Sequence, residues 1–294
     1  MFARHSGERE LYSRKAEAFA NCTVMQIIFP DNHDLVADDI RAAGDLHERL
    51  VFLVDAWGRK RSAVQRALGV SLHAHGHEAV DLLSAANLSH VSTQMKKVTS
   101  RRGLAMDARK MASRAKRLGI DQALVLHLWR AKCDVAARVL AALEWLEQSK
   151  LEPRTEAAIV KTAIGLEALF VFHDSDPARR AVSERLAYLL GESAAQRIAL
   201  SRTLGKFYDL RSAVVHGGRR RRRPGPTLEH IDKLLFLSCV AIASQMKSAQ
   251  TTEQLRGWFE ALRWGAEPSP PSIPSSRTLV RQALAAVEKA SGSS

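Results

Sequence analysis

Cysteine is scarce. The chain has three in 294 residues, Cys22, Cys133 and Cys239, odd in number and far apart. That spacing argues against a disulfide framework, and no Cys-x2-Cys pair is present to seed a zinc site. Three buried thiols in a reducing compartment are the expectation. Long apolar runs are also missing. Nothing approaches the ~18 residues of a membrane span. The longest candidates, such as Phe236–Ala243 (FLSCVAIA), fit one buried helix. The opening residues MFARHSGERE lack the apolar centre of a secretion signal. A cytoplasmic protein with no membrane partner is therefore expected. The sequence has no Walker glycine loop, no Gly-x-Ser-x-Gly and no His-Glu-x2-His. No repeat of 20–50 residues is present. No cofactor is expected.

Acidic residues are short by comparison with basic ones, 31 against 44, and 31 of the 44 cations are arginine. The net charge of +13 favours a polyanionic partner, nucleic acid ahead of membrane. Arginine is also the better fork for phosphate oxygens. The charge is uneven. Residues 1–58 carry 6 basic and 10 acidic side chains, and residues 59–120 carry 13 and 3. The remaining 25 cations face 18 acids, and five of the 25 form one run, Arg219, Arg220, Arg221, Arg222 and Arg223.

Most of the chain reads helical, with Ala, Leu, Glu and Arg dominant and apolar residues three and four apart. The exception is Thr23–Phe29 (TVMQIIF), β-branched and stopped by Pro30, which predicts a single short strand. Asp121–Gln148 is expected as one long amphipathic helix, and Glu156–Phe172 as the next. A helix with Pro177 at its first position is expected to run to Leu190, with Gly191 as a left-handed cap. Ser193–Val215, Leu228–Met246 and Glu253–Trp264 follow. Glu267–Ser276 (EPSPPSIPSS) is a Pro/Ser linker before a terminal helix at Thr278–Ala290. The five tryptophans fall at apolar helical positions and are expected in the core. The fold class is all-α. The expected organisation is an accessory region over 1–120, basic from 59, a helical domain over 121–250, and a helical tail over 251–294.

Two segments suggest chemistry. In Phe207–Gly218 (FYDLRSAVVHGG), Arg211 and His216 are five residues apart. A continuous helix separates them by about 140° around its axis and ~7.5 Å along it. If the helix opens near Val215, which Gly217-Gly218 makes cheap, the two converge. A fixed guanidinium beside a titratable imidazole suits a phosphodiester. RNA supplies its own nucleophile, the 2′-hydroxyl, so no metal is required in principle. Arg219–Arg223 begins three residues after His216 and reads as a non-specific phosphate grip.

In the second segment, Asp81–Val98, Asn87 sits at a turn, Ser89 at a cap, and His90, Thr93, Gln94 and Lys97 point outward. That pattern resembles a helix-turn-helix, with Lys96, Lys97, Arg101 and Arg102 as cationic contacts. It supports a DNA-binding regulator as an alternative. Met106–Leu118 reads as a basic helix. His73, His75 and His77 alternate in a manner open to Zn²⁺ or Ni²⁺, but no Cys or second carboxylate cluster accompanies them, so no metal is assigned.

Three stretches in order resemble the HEPN family (the higher-eukaryote and prokaryote nucleotide-binding domain), particularly its ApeA-like branch. They are Ala163–Phe170 (AIGLEALF), Glu184–Gly191 (ERLAYLLG) and Tyr208–Gly217 (YDLRSAVVHG). The third is the most specific, because it joins Arg-x4-His to a flanking Tyr-Asp-Leu and a following Gly. The resemblance implies a bundle of four or five helices over about 121–250 and a homodimer in which two such motifs share one cleft. It also implies metal-independent cleavage of single-stranded RNA. Arg211 would hold the scissile phosphate, and His216 would act as general acid or base, leaving a 2′,3′-cyclic phosphate. Glu167 and Asp209 are candidate orienters of Arg211, and Tyr208 lies on its face. Ser212 follows the Arg where active members frequently carry Asn, Asp or His; its hydroxyl still donates. Such proteins often act in phage defence or in toxin–antitoxin systems, which implies an inhibitor or sensor as protein partner. Some relatives with the motif only bind RNA or protein, or only dimerise.

Overall fold

The computed structural model describes residues 37–57, 64, 76–82, 92–98, 108–216, 227–246 and 249–265, with isolated positions at 277, 280, 281 and 285. The expected strand at Thr23–Phe29, Cys22, Arg101, Arg102, the linker and the run Arg219–Arg223 lie outside the described residues, as does most of the terminal helix.

The chain is mostly helical. Helix α1 spans Ala37–Trp57, α2 Ala108–Arg117, α3 Gln122–Arg130, α4 Asp134–Leu151 and α5 Thr155–Phe170. Then come α6 Ala178–Leu190, α7 Ala194–Val215, α8 Leu228–Gln245 and α9 Thr252–Trp264. Most of the boundaries obey local chemistry. Asp121 caps α3 by accepting from the Leu124 N–H. Ser193 and Thr251 close reciprocal capping boxes with Gln196 and Gln254.

Three expectations need correction. Asp121–Gln148 is two helices. The break at Ala131–Cys133 contains neither Pro nor Gly; Val135 N–H donates to the Gln250 carbonyl at 3.2 Å, so a tertiary contact fixes the start of α4. Gly191 is extended (φ −94°, ψ 119°), not left-handed. Its glycine answers to space instead: a Cβ there would lie 2.7 Å from the Ala187 carbonyl and 2.8 Å from Arg197 Cγ. The third correction concerns the suggested helix-turn-helix. Gly76–Leu82 and Ser92–Val98 form an antiparallel two-stranded ribbon, β1 and β2, with Glu78 opposite Lys96 and His77 opposite Lys97. The would-be recognition helix is a strand. Over seven residues (STQMKKV) its pattern fits a pleated ribbon as well as a helix face. Gly76 and His77 begin β1.

Helix α5 is the centre. It packs on α4, α6, α7 and α8, and Ala158, Ile159, Ala163, Leu166, Leu169 and Phe170 are buried along it. Gly165 allows the close approach, since a Cβ there would meet Leu235 Cδ2 at 2.9 Å and the Ala142 carbonyl at 3.3 Å. Around it α4–α5 and α6–α7 make two helical hairpins, with α8 crossing α4 and α9 lying against α6. A single core cluster runs from Leu46 in α1 through Leu262 in α9 to Val280, so packing continues past residues 121 and 250. Arg49 of α1 pairs with buried Glu147 of α4 at 2.9 Å. Cys239 is buried and Cys133 half-buried, whereas Trp264, expected in the core, is 75% exposed. Among the described residues, no helix is long and apolar enough to cross a membrane.

Polar groups lock this core. Lys150 of α4 and Asp232 of α8 form a buried ion pair at 2.7 Å. Thr162 of α5 donates to the other Asp232 oxygen at 2.8 Å, and Ser149 lies 2.8 Å from Thr162. At the end of α5, Arg138 donates to the carbonyls of Ala168 and Val171, both at 2.8 Å. Arg185 donates to the Phe170 carbonyl and to Asp176 at 2.8 Å. The Phe172 ring takes both guanidinium groups, at 5.2 and 4.3 Å.

Two outcomes follow. Asp232→Ala strands a buried ammonium and costs about 3–5 kcal/mol in urea unfolding, more than the joint replacement of Lys150 and Asp232 by Met and Leu. Asp176 is an acid-sensitive group. Burial acts to raise its carboxyl, but the Arg185 bond and the Phe172 N–H outweigh burial and hold it below its ordinary 3.8. A lowered folded-state value gives stability that is present above the unfolded value and lost as pH falls through the folded one. The deficit of Asp176→Asn against the native chain is therefore full above the ordinary carboxylate range and shrinks as pH falls below it, which urea titrations across acidic pH read out.

Candidate functional site

Helix α7 carries the motif, and its wheel decides what each residue can reach. At 100° per residue, Leu200, Leu204, Phe207 and Arg211 share the core side, while Ile198, Arg202, Asp209 and His216 share the solvent side. The burial agrees: Leu200, Leu204 and Phe207 are buried, Arg211 is half-buried, and Asp209, Ser212 and His216 are exposed. The helix does not open early. It holds through Val215, and the His216 N–H still donates to the Ser212 carbonyl at 3.0 Å. The convergence that unwinding near Val215 was expected to give does not occur within the chain. Arg211 and His216 keep their helical separation of about 140°.

Arg211 faces α5. Its Nη2 lies 3.9 Å from Glu167 Oε1, and the two side chains are 32% and 27% exposed. That is attraction without a hydrogen bond. The Nε of Arg211 is buried and makes no hydrogen bond among the described residues, while part of the guanidinium remains open to solvent. Tyr208, one turn earlier on the helix, is buried with only 6% exposed. Burial first, and then the Glu167 carboxylate through its charge and as hydrogen-bond acceptor, pushes the Tyr208 phenol far above its ordinary value; Arg211 offsets part of this.

Of the expected supporting residues, Glu167 meets Arg211 and Tyr208 joins them. Asp209 does not. It pairs with Arg179 of α6 at 2.7 Å, with both side chains more than half exposed, because a spacing of two turns it away from Arg211. Ser212 is exposed on the His216 side. Lys96 and Lys97 lie in β2.

Sequence reasoning missed a second polar region, a groove of about 430 Å3 between α9 and the α5–α6 turn. Its arginines are engaged: Arg185 with Asp176, and Arg256 with Glu253 at 2.6 Å and with His173 at 3.0 Å. Because guanidinium only donates, His173 Nε2 is the acceptor there. No spacing in the sequence joins His173 to Arg256, which are 83 positions apart. Among the described residues, no cluster of three or more His, Cys, Asp or Glu is placed to hold a metal.

A scan against protein-family models finds no match, and searches of curated proteins and of solved structures find none either. The site must therefore be argued from its own residues.

The two carboxylates near the motif are distinguishable by experiment. Asp209→Ala removes an exposed pair and changes urea stability by less than about 1 kcal/mol. Glu167→Gln removes the half-buried charge that faces Arg211 and changes urea stability by more than Asp209→Ala does.

Proposed function

We propose that the chain is a metal-independent endoribonuclease that acts on single-stranded RNA as a homodimer. The observation that carries this reading is the state of Arg211. It is a half-buried guanidinium, held by a carboxylate at 3.9 Å that does not bond it, with part of its surface open to solvent. His216 stands exposed at the end of the same helix, and the run Arg219–Arg223 begins three residues on.

In the reaction, the 2′-oxygen attacks the neighbouring phosphorus and the bond to the 5′-oxygen breaks. His216 takes the proton from the 2′-hydroxyl or returns one to the leaving oxygen. Arg211 stabilises the charge that develops on the non-bridging oxygens. The products are a 2′,3′-cyclic phosphate and a 5′-hydroxyl. The continuous helix turns Arg211 and His216 to different sides, so the reading pairs Arg211 of one protomer with His216 of its partner across a twofold. The Arg run grips the strand without reading its bases. By the family resemblance, such an activity belongs to phage defence or a toxin–antitoxin system, with a protein inhibitor or sensor as partner.

A second reading is a non-catalytic module that binds RNA or protein through the same surface. The intact helical register between Ser212 and His216 favours it, because within one chain the acid–base group and the phosphate clamp stay apart.

Labelled single-stranded RNA incubated in EDTA separates the two. The nuclease reading expects cleavage to cyclic-phosphate ends, lowered about 10²–10⁴-fold by Arg211→Ala or by His216→Ala. Binding without cleavage moves the assignment to the second reading, and absence of both overturns the nuclease and leaves the second reading with a protein as its partner.

A further inference from the structure

Helix α7 carries four cations, Arg197, Arg202, Lys206 and Arg211, against one acid, Asp209. Two of the cations have work within the fold. Arg197 donates to the Gly191 carbonyl at 3.0 Å and lies over the Tyr188 ring, and Arg211 faces Glu167. The other two, Arg202 and Lys206, are exposed. Neither has an ion pair or a hydrogen bond among the described residues. They stand four positions apart, about 40° around the helix and ~6 Å along it, so like charges face each other across one turn. That arrangement weakens an exposed helix slightly, and folding alone gives no reason for it.

The acid that could relieve it is engaged elsewhere. Asp209 comes three positions after Lys206, a spacing at which a helix pairs opposite charges. Arg179 of α6 takes that carboxylate instead, with Nη1 2.7 Å from one oxygen and Nη2 3.3 Å from the other. The guanidinium of Arg179 passes over Gly205, where a Cβ would lie 3.4 Å from Nη2. Asp209 is thereby neutralised from the neighbouring helix, and α7 has no second acid to offer. The outward face keeps its two positive charges.

We propose that Arg202 and Lys206 form a phosphate track on the outward face of α7, along which a single RNA strand runs toward His216. This rests on the RNA substrate proposed above. The ~6 Å between the two cations along the axis lets each meet a different phosphate of an extended strand. Lys206 lies about 15 Å and Arg202 about 21 Å along the axis from His216. Both are therefore clear of the end of α7, where the proposed cleft draws Arg211 and His216 from two chains. The track holds the strand several positions away from the scissile bond. Its contacts go to phosphates, so they position the strand without reading its bases. Arg179 has a part in this as well, because holding Asp209 keeps a carboxylate from closing on Lys206.

The test titrates the full chain with a short single-stranded oligonucleotide of 2′-O-methyl riboses, which binds but cannot be cleaved, at increasing salt. Arg202→Gln and Lys206→Gln each reduce the slope of log affinity against log salt by about 0.7, and the double variant reduces it by about 1.4. Arg180→Gln is the control. It removes the same single charge from α6, where Arg180 pairs with Glu184 beside α9. The track expects no change of slope from it. Equal reductions in all three single variants overturn the track, because net charge alone then accounts for binding. Oligonucleotide binding with unchanged slopes in Arg202→Gln and Lys206→Gln overturns the track and leaves the RNA reading standing. Failure of the native chain to bind the oligonucleotide overturns the RNA reading, and the track with it.

Discussion

Helix α5 ends in carbonyls that no further turn can satisfy, and two arginines from different helices fill them. Arg138 comes from α4 and Arg185 from α6, and Phe172 packs against both. Without those donors the buried end of α5 would carry unpaired oxygens. Because the two arginines start on the two hairpins that flank α5, the same bonds set the hairpins in register with each other. Glu167 lies within one turn of this junction, and its carbonyl accepts from the Val171 N–H. Its backbone therefore has a fixed place, and Arg211 of α7 approaches its carboxylate to 3.9 Å. The contact that sets the site is thus anchored by groups that never touch it.

The other constraint is the continuity of α7. Twenty-two residues of unbroken helix, started by a capping box at Ser193, fix the angle between any two side chains on it. Arg211 is committed to the core side by the company of Leu204 and Phe207, and His216 is committed to solvent. No rotamer change in Val214 or Val215 alters that backbone angle. Any chemistry that uses both groups on one phosphate has to bridge the angle that this helix sets between them. A helix that frayed at Ser212 would have allowed a self-contained site, but the Ser212 carbonyl is occupied by the His216 N–H.

Much of the helical frame was legible in the sequence because its signals are local. The capping boxes at Ser193 and Thr251, the apolar faces of α5 and α8, and the stop after Trp264 all lie within a few residues of the boundaries they set. The errors arose where distant parts of the chain decide. Nothing near Ala131 announces a break, because the reason is Gln250. Gly191 looked like a left-handed cap, but Arg197 packs too close for a Cβ. The segment Ser92–Val98 satisfies two periodicities at once over seven residues, too few to separate strand from helix. Within the site, the spacing of Tyr208, Arg211 and His216 gave their faces correctly. The pairing of Asp209 with Arg179 and the burial of the Tyr208 hydroxyl depend on α6 and α5, and no pattern within α7 encodes either.

In a chain with 31 arginines, positive charge alone does not mark a site. Many of the described arginines have clear structural employment: Arg49 on Glu147, Arg114 on the carbonyls of Val54 and Asp55, Arg138 and Arg185 on the end of α5, Arg180 on Glu184. Each of these makes at least one bond at ordinary hydrogen-bond distance. Arg211 is half-buried like several of them, yet its acid partner stands 3.9 Å away and its Nε has no acceptor among the described residues. Folding alone would favour closing that gap, since an incompletely bonded guanidinium loses solvation and gains little in return. Arginines that build a fold are saturated by it. Arg211 is held by charge across a gap and not by a hydrogen bond.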